Sequence, residues 1–182
     1  EVSSHSLDQR RTDGIHFCVG VFTNLTQDHL DYHGTIENYL HAKRRLFDSL
    51  SPNAVAVVNA HDPASALMVE HCRGRVIRYG IGEGAKEPQA SARADVAVSP
   101  QIRGTILRED RDGGRFLLEY EGKRAEIRTP MVGRHNIFNA LAAAATALAS
   151  GLDIGAIQRG IAELDHVPGR LQRVPTGNLG FD

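Results

Sequence analysis

Cys18-Val19-Gly20-Val21-Phe22-Thr23 is the stretch on which the fold turns. It is a short apolar run bounded by polar turns, which predicts a strand buried inside a sheet. Similar runs return at Ala54 to Val58 (A-V-A-V-V) and at Val76 to Tyr79. Between the first two, Thr35 is a plausible N-cap and Glu37 places a negative charge in the first turn. That helix is expected to run to about Leu50, where Ser51-Pro52-Asn53 stops it. Between the second and third runs, Asp62 and Pro63 read as N-cap and first helical position, with the helix ending near Gly74. Strand and helix thus alternate. The alternation predicts an α/β fold with a mostly parallel, doubly wound sheet flanked by helices.

Beyond a loop rich in Gly, Ala and charge (Gly80 to Ala92) the pattern changes. Ile102 to Arg108, Arg115 to Tyr120 and Arg124 to Arg128 read as short strands. They are separated by the hairpin turns Asp112-Gly113-Gly114 and Glu121-Gly122. A small antiparallel subsheet is expected within residues 94–130. From Gly133 the chain reads as helical again. Arg134 to Ser150 carries an apolar stripe at Ile137, Leu141, Ala144 and Leu148, closed by Gly151. A second helix, Ile154 to Leu164, precedes Pro168-Gly169.

The 182 residues suit one domain; 41% are hydrophobic and 24% charged, as in soluble globular chains. A formal net charge of -1 gives no basic surface for nucleic acid. Cys18 and Cys72 show no paired spacing, so a reducing cytoplasmic setting is expected. No apolar run approaches the ~20 residues of a membrane span, and membrane insertion is not expected. A monomer is expected. No signal peptide is visible, although the chain opens at Glu1 and not at a methionine.

Asn24-Leu25-Thr26-Gln27-Asp28-His29-Leu30-Asp31-Tyr32-His33-Gly34 gathers acidic and imidazole groups at a turn. If helical, His29 and His33 share a face, as turn contacts or as metal ligands. On the next helix, Ile36, Leu40, Lys43, Phe47 and Leu50 follow the spacing of one face, with Arg44 and Arg45 pointing away. Lys43 at the centre of an apolar face has two readings. Its stem can snorkel past Phe47 to solvent. Alternatively its amine captures carbon dioxide as a metal-binding carbamate, since burial favours the uncharged amine. Glu1, Ser3 and Ser4 form a polar start that reads equally as a helix cap. Gly133-Arg134-His135-Asn136-Ile137-Phe138-Asn139 is a polar first turn on an apolar helix. It supplies local hydrogen bonds, or it contacts a nucleotide base through asparagine amides. Arg170, after Pro168-Gly169, is a surface charge or a phosphate fork.

In their order along the chain these motifs resemble the central domain of the Mur ligases. They are Glu1-Val-Ser-Ser-His, Val21-Phe-Thr-Asn-Leu-Thr, Asp28-His-Leu-Asp-Tyr-His-Gly-Thr, Tyr39 with Ala42-Lys43, Gly133-Arg-His-Asn-Ile-Phe-Asn-Ala and Val167-Pro-Gly-Arg170. The wording is most similar to the UDP-N-acetylmuramoyl-tripeptide synthetases. The resemblance implies an ATP- and Mg2+-dependent ligase of peptidoglycan precursor synthesis. Such an enzyme adds a third amino acid, meso-diaminopimelate or L-lysine, to a UDP-MurNAc-dipeptide through an acyl phosphate. It further implies Glu1 and His29 as magnesium ligands and Lys43 as a carbamylated lysine supporting magnesium. Ser3, Gln9 and Arg11 would hold the UDP-MurNAc-peptide. Asn139 and Arg170 would contact the nucleotide, with His135 and Asn136 beside them.

The chain departs from the family pattern in one respect. No Gly-x-x-x-x-Gly-Lys-[Ser/Thr] loop occurs in it: Gly122-Lys123 has Leu117 where the upstream glycine would stand. It therefore reads as a partial central domain without phosphate loop, N-terminal UDP-binding domain or C-terminal domain, inactive as a ligase alone. The alternatives are another ligase of the superfamily (D-Ala-D-Ala-adding, folylpolyglutamate or cyanophycin type), a non-catalytic scaffold, and a zinc hydrolase using His29 and His33.

Overall fold

The computed structural model describes residues 1–26, 28–82, 100–165 and 167. The strands are β1 (Val19–Phe22), β2 (Val55–Asn59), β3 (Arg75–Ile81), β4 (Ile102–Asp110), β5 (Gly113–Tyr120) and β6 (Lys123–Thr129). The helices are α1 (Ser4–Asp8), α2 (Leu30–His33), α3 (Ile36–Asp48), α4 (Ser65–Met68), α5 (Arg134–Ala149) and α6 (Ile154–Ala162). Most of the Gly80–Ala92 loop, the start of the 94–130 segment, and Pro168, Gly169 and Arg170 lie outside the described residues.

Apolar side chains alternate between the two faces of a strand, and β2 is buried at every position because both its faces are covered. Val55 and Val57 join one core with Ile77, Tyr79, Ile102 and Phe116, under Ile137, Leu141 and Ala144 of α5. Ala56 and Val58 join the other with Phe22 and Met68, under Phe47 of α3 and Leu50 just beyond it. Phe22 and Phe47 meet edge to face, centroids 6.4 Å apart.

The six strands form one sheet in the order β1-β2-β3-β4-β5-β6. β1 to β4 pair in parallel, and β4-β5-β6 pair antiparallel. The hairpin strands predicted as a small subsheet thus continue the parallel sheet, through β4 along β3. Burial in β4 and β6 is interrupted by exposed positions, as expected where one face meets solvent.

Thr35 caps α3 as expected, its Oγ1 accepting from Asn38 N at 3.2 Å. α5 ends in a Schellman motif: Gly151 N donates to Leu148 O and Leu152 N to Ala147 O, both at 3.0 Å. Gly151 has φ +84°, a backbone state that glycine enters freely.

The helix predicted from Asp62 to Gly74 is a correction. Only the single turn Ser65–Met68 forms. The Asp62 carboxylate divides between Ala64 N (Oδ1) and Leu25 N (Oδ2), both at 2.8 Å. Ser65 Oγ donates to Asn59 O, and Cys72 N closes a three-residue turn on Val69 O. The segment is tied down at its start and must re-enter the sheet at Arg75, which leaves no room for further helical turns.

Candidate functional site

The carboxyl ends of β1, β2 and β3 reach one edge of the sheet together with the first turn of α5. Backbone groups there have no further ladder partner, and side chains take their place. Asn59 Nδ2 donates to Thr23 O at 2.8 Å, and its Oδ1 accepts from His61 N at 3.0 Å. Tyr79 Oη donates to Phe22 O at 3.4 Å. Burial, with the Asp62 carboxylate second, pushes the Tyr79 phenol well above its ordinary value, so it stays protonated and serves as a donor.

These ties hold open a crevice of about 280 Å³. Thr23, Asn24, Asn59, His61, Asp62, Pro63 and Tyr79 form its strand-end wall, and His135, Phe138 and Asn139 its helix wall. Open α/β sheets bind ligands in such a place, outside the carboxyl ends of parallel strands. Of the residues predicted to contact a nucleotide, His135 and Asn139 line the crevice. Asn136 stands behind them. Its Nδ2 donates to Val132 O at 2.8 Å and its Oδ1 accepts from Asn139 Nδ2 at 3.3 Å, which leaves Asn139 Oδ1 for a ligand. Arg170 lies outside the described residues.

The residues predicted to hold metal and substrate lie around α1, α2 and α3. Their centre is a ring cluster. His5 lies 5.0 Å from His29, 4.2 Å from Tyr32 and 5.5 Å from His33 between centroids. Tyr39 is 5.9 Å from His29 and 5.3 Å from His33. Lys43 Nζ stands 5.0 Å from the Tyr39 ring centroid, a cation–π contact. Tyr39 therefore brings His29 and Lys43 to one place.

Three expectations about this region are corrected. His29 and His33 do not share a helix face: His29 precedes α2 in the left-handed conformation (φ 54°). Its side chain is 43% exposed and its Nε2 lies 3.6 Å from Asp28, while His33 is buried with Nε2 2.9 Å from Ser4 Oγ. The buried face of α3 runs through Tyr39, Ala42 and Phe47, so Lys43 sits half-buried at its margin and not at its centre. Arg44 does not point away. It pairs with Asp48 at 3.4 Å and Glu70 at 3.0 Å with only 18% of its side chain exposed.

Glu1 is exposed. Ser3 caps α1, its Oγ accepting from Ser6 N at 3.1 Å. Gln9 Nε2 donates to Tyr32 Oη at 3.3 Å, and Arg11 is exposed. Among the described residues no three His, Cys, Asp or Glu side chains are grouped to hold a metal. Mg2+ needs only one or two protein oxygens, the rest of its shell being water and phosphate. Glu1 and a carbamate on Lys43 would each offer oxygens of that kind.

Sequence reading missed Asn59, His61, Tyr79 and Phe138 as crevice residues. The signal available was position alone: Asn59 and His61 at and just beyond the end of β2, Tyr79 near the end of β3, and Phe138 near the start of α5.

A mostly parallel sheet with helices on both faces, and a polar crevice at the carboxyl ends of its parallel strands, defines an open α/β domain. A family model, "Mur ligase middle domain", matches residues 1–147, and the chain belongs to that family. A 2,6-diaminopimelate ligase named for UDP-N-acetylmuramoyl-L-alanyl-D-glutamate, from Zymomonas mobilis, is 38% identical over 100% of this chain and 35% of its own. A relative of the same name from Solibacter usitatus is 40% identical over 97% of this chain and 33% of its own. A solved structure bearing that name superposes with TM-score 0.77 at 30% identity, over 94% of this chain and 33% of the other. The chain therefore spans about a third of the length of these relatives. Among the described residues no helix is long and apolar enough to cross a membrane.

Proposed function

We propose that the full-length protein joins 2,6-diaminopimelate to UDP-N-acetylmuramoyl-L-alanyl-D-glutamate at the expense of ATP, in the cytoplasm, and that residues 1–182 belong to its central, nucleotide-binding domain. The observation that carries this reading is the crevice at the strand ends, where Asn139 and His135 stand ready for a nucleotide base. Relatives at 38–40% identity carry the ligase name.

In the proposed reaction a carboxylate oxygen of the dipeptide attacks the γ-phosphorus of ATP, and the bond to ADP breaks. The amine of the amino acid then attacks the acyl carbon and expels phosphate, losing a proton to solvent. Such steps depend on positioning and on neutralising oxyanion charge. Glu1, His29 and a carbamate on Lys43 would hold Mg2+, and the bound ion would supply that neutralisation. Asn136 orients Asn139 toward the base, and Arg170 is assigned to the nucleotide. Ser3, Gln9 and Arg11 are assigned to the UDP-MurNAc-peptide.

The test is ADP release by the full-length protein. It should require both the dipeptide substrate and diaminopimelate. Lys43→Ala should lower it about a hundredfold or more, with partial recovery in bicarbonate or a short carboxylate. Undiminished turnover in Lys43→Ala would remove Lys43 from the chemistry. One zinc per chain and no ADP release would instead favour a hydrolase.

A further inference from the structure

The ring of His61 is fixed by an unusual contact. Its Nε2 lies 2.9 Å from both the N and the O of Ile81, at the end of β3. One ring nitrogen cannot accept from that N–H and donate to that C=O at once. Ile81 is buried, β2 has already ended at Asn59, and the Ile81 N–H therefore has no strand to its side. A buried N–H without an acceptor is rarer and costlier than an under-satisfied carbonyl. Nε2 is then the acceptor and the ring proton sits on Nδ1. The position is built for this ring: a Cβ at Gly80 would stand 2.9 Å from His61 Cδ2 and Nε2. Phe138 closes the other side edge to face, centroids 5.6 Å apart at 89°.

Nδ1–H is left as a donor without a protein acceptor among the described residues, on a side chain that lines the crevice. Among the described residues the walls carry no lysine or arginine, and they do carry Asp62. That charge pattern repels phosphate and suits a neutral, flat group with ring acceptors. A volume of about 280 Å³ fits one part of a nucleotide, not the whole. We propose that His61 reads the base, donating Nδ1–H to an acceptor nitrogen of the purine ring while Ile81 holds its tautomer. This rests on the crevice being the nucleotide site.

Two measurements on the full-length protein test it. In histidine 15N–1H correlation spectra of the wild type, with His61 assigned from its loss in His61→Gln, Nδ1 should be protonated and Nε2 bare. A proton on Nε2 alone overturns the proposal, whatever the variants do to affinity. In calorimetric titrations, His61→Gln keeps an acceptor for Ile81 but no donor at the Nδ1 position. It should bind ATP about five- to tenfold more weakly. His61→Asn, which keeps that donor, should bind closer to wild type. Among 1-, 3- and 7-deaza-ATP, the analogue lacking the contacted nitrogen should bind wild type and His61→Gln alike. Unchanged ATP affinity in His61→Gln, with Asn139→Ala still weakened, overturns the role of His61 alone. Unchanged affinity in both variants overturns the crevice as the nucleotide site, and this inference with it.

Discussion

Single residues in this chain earn their place by what they let a neighbour do. Gly80 is such a case: it leaves room for the His61 ring. Gly80→Ala should displace that ring, leave the Ile81 N–H unpaired and cost about 1–3 kcal/mol. Urea unfolding measures the loss. His33 makes a second prediction. Burial first, and His5 next, lower its folded pKa below the ordinary 6.5. The unfolded chain then binds this proton more readily than the folded one, so stability rises with pH across the interval between the two values. The contribution is present above about pH 6.5 and is lost as pH falls through the folded value. His33→Gln should flatten the acid side of a stability–pH profile, and an unchanged slope would remove His33 as its cause. Lys43, His29 and Asn139 stood out in the sequence because each is a polar group set among apolar periodicity or repeated polar spacing. His61 did not. What distinguishes it is a backbone group twenty residues away, which no local pattern announces.

Elements were legible where a cap, a period and a stop agreed. Thr35, the stripe through Phe47 and the Ser51-Pro52-Asn53 stop define α3 within a few residues of its observed span. Thr35→Ala should cost about 1 kcal/mol through the lost Asn38 contact. Gly151→Ala should cost about 1–2 kcal/mol. Nothing lies within 4 Å of a Cβ there, so the penalty is that of a positive φ alone. Thermal melts of the two variants check both figures. Asp62-Pro63 gave an equally good start signal, yet α4 is one turn. Its carboxylate serves Leu25 of another loop as well as its own turn, a tertiary demand that overrides local propensity. The stripe on α3 was read about one residue off for a related reason: Tyr39 is buried by the ring cluster beside it, not by the sheet.

On the scale of the whole molecule, the alternation of strand and helix was enough to place a parallel sheet between two helical layers. It was not enough to show that the hairpin strands extend that sheet, because edge pairing depends on where β4 lands beside β3. The same limit applied to the crevice, which gathers residues from Thr23 to Asn139. The 182 residues contain no phosphate-cradling Gly-Lys-[Ser/Thr] loop. Supplied alone with ATP, dipeptide and diaminopimelate, this chain should release no ADP above background. Measurable release in a coupled assay would show that the phosphates are held by other means.

Sheet order and chain order coincide from β1 to β6. During synthesis each of these six strands can therefore dock on the one made just before it, and among the described strands none has to be threaded between two already paired. α5 packs across all six strands and follows them in the chain. A nascent chain whose six strands had left the ribosome while α5 was still inside it would hold the sheet with Val57, Tyr79, Phe116 and Leu118 bare on one side, the moment at which a chaperone would find it most adhesive.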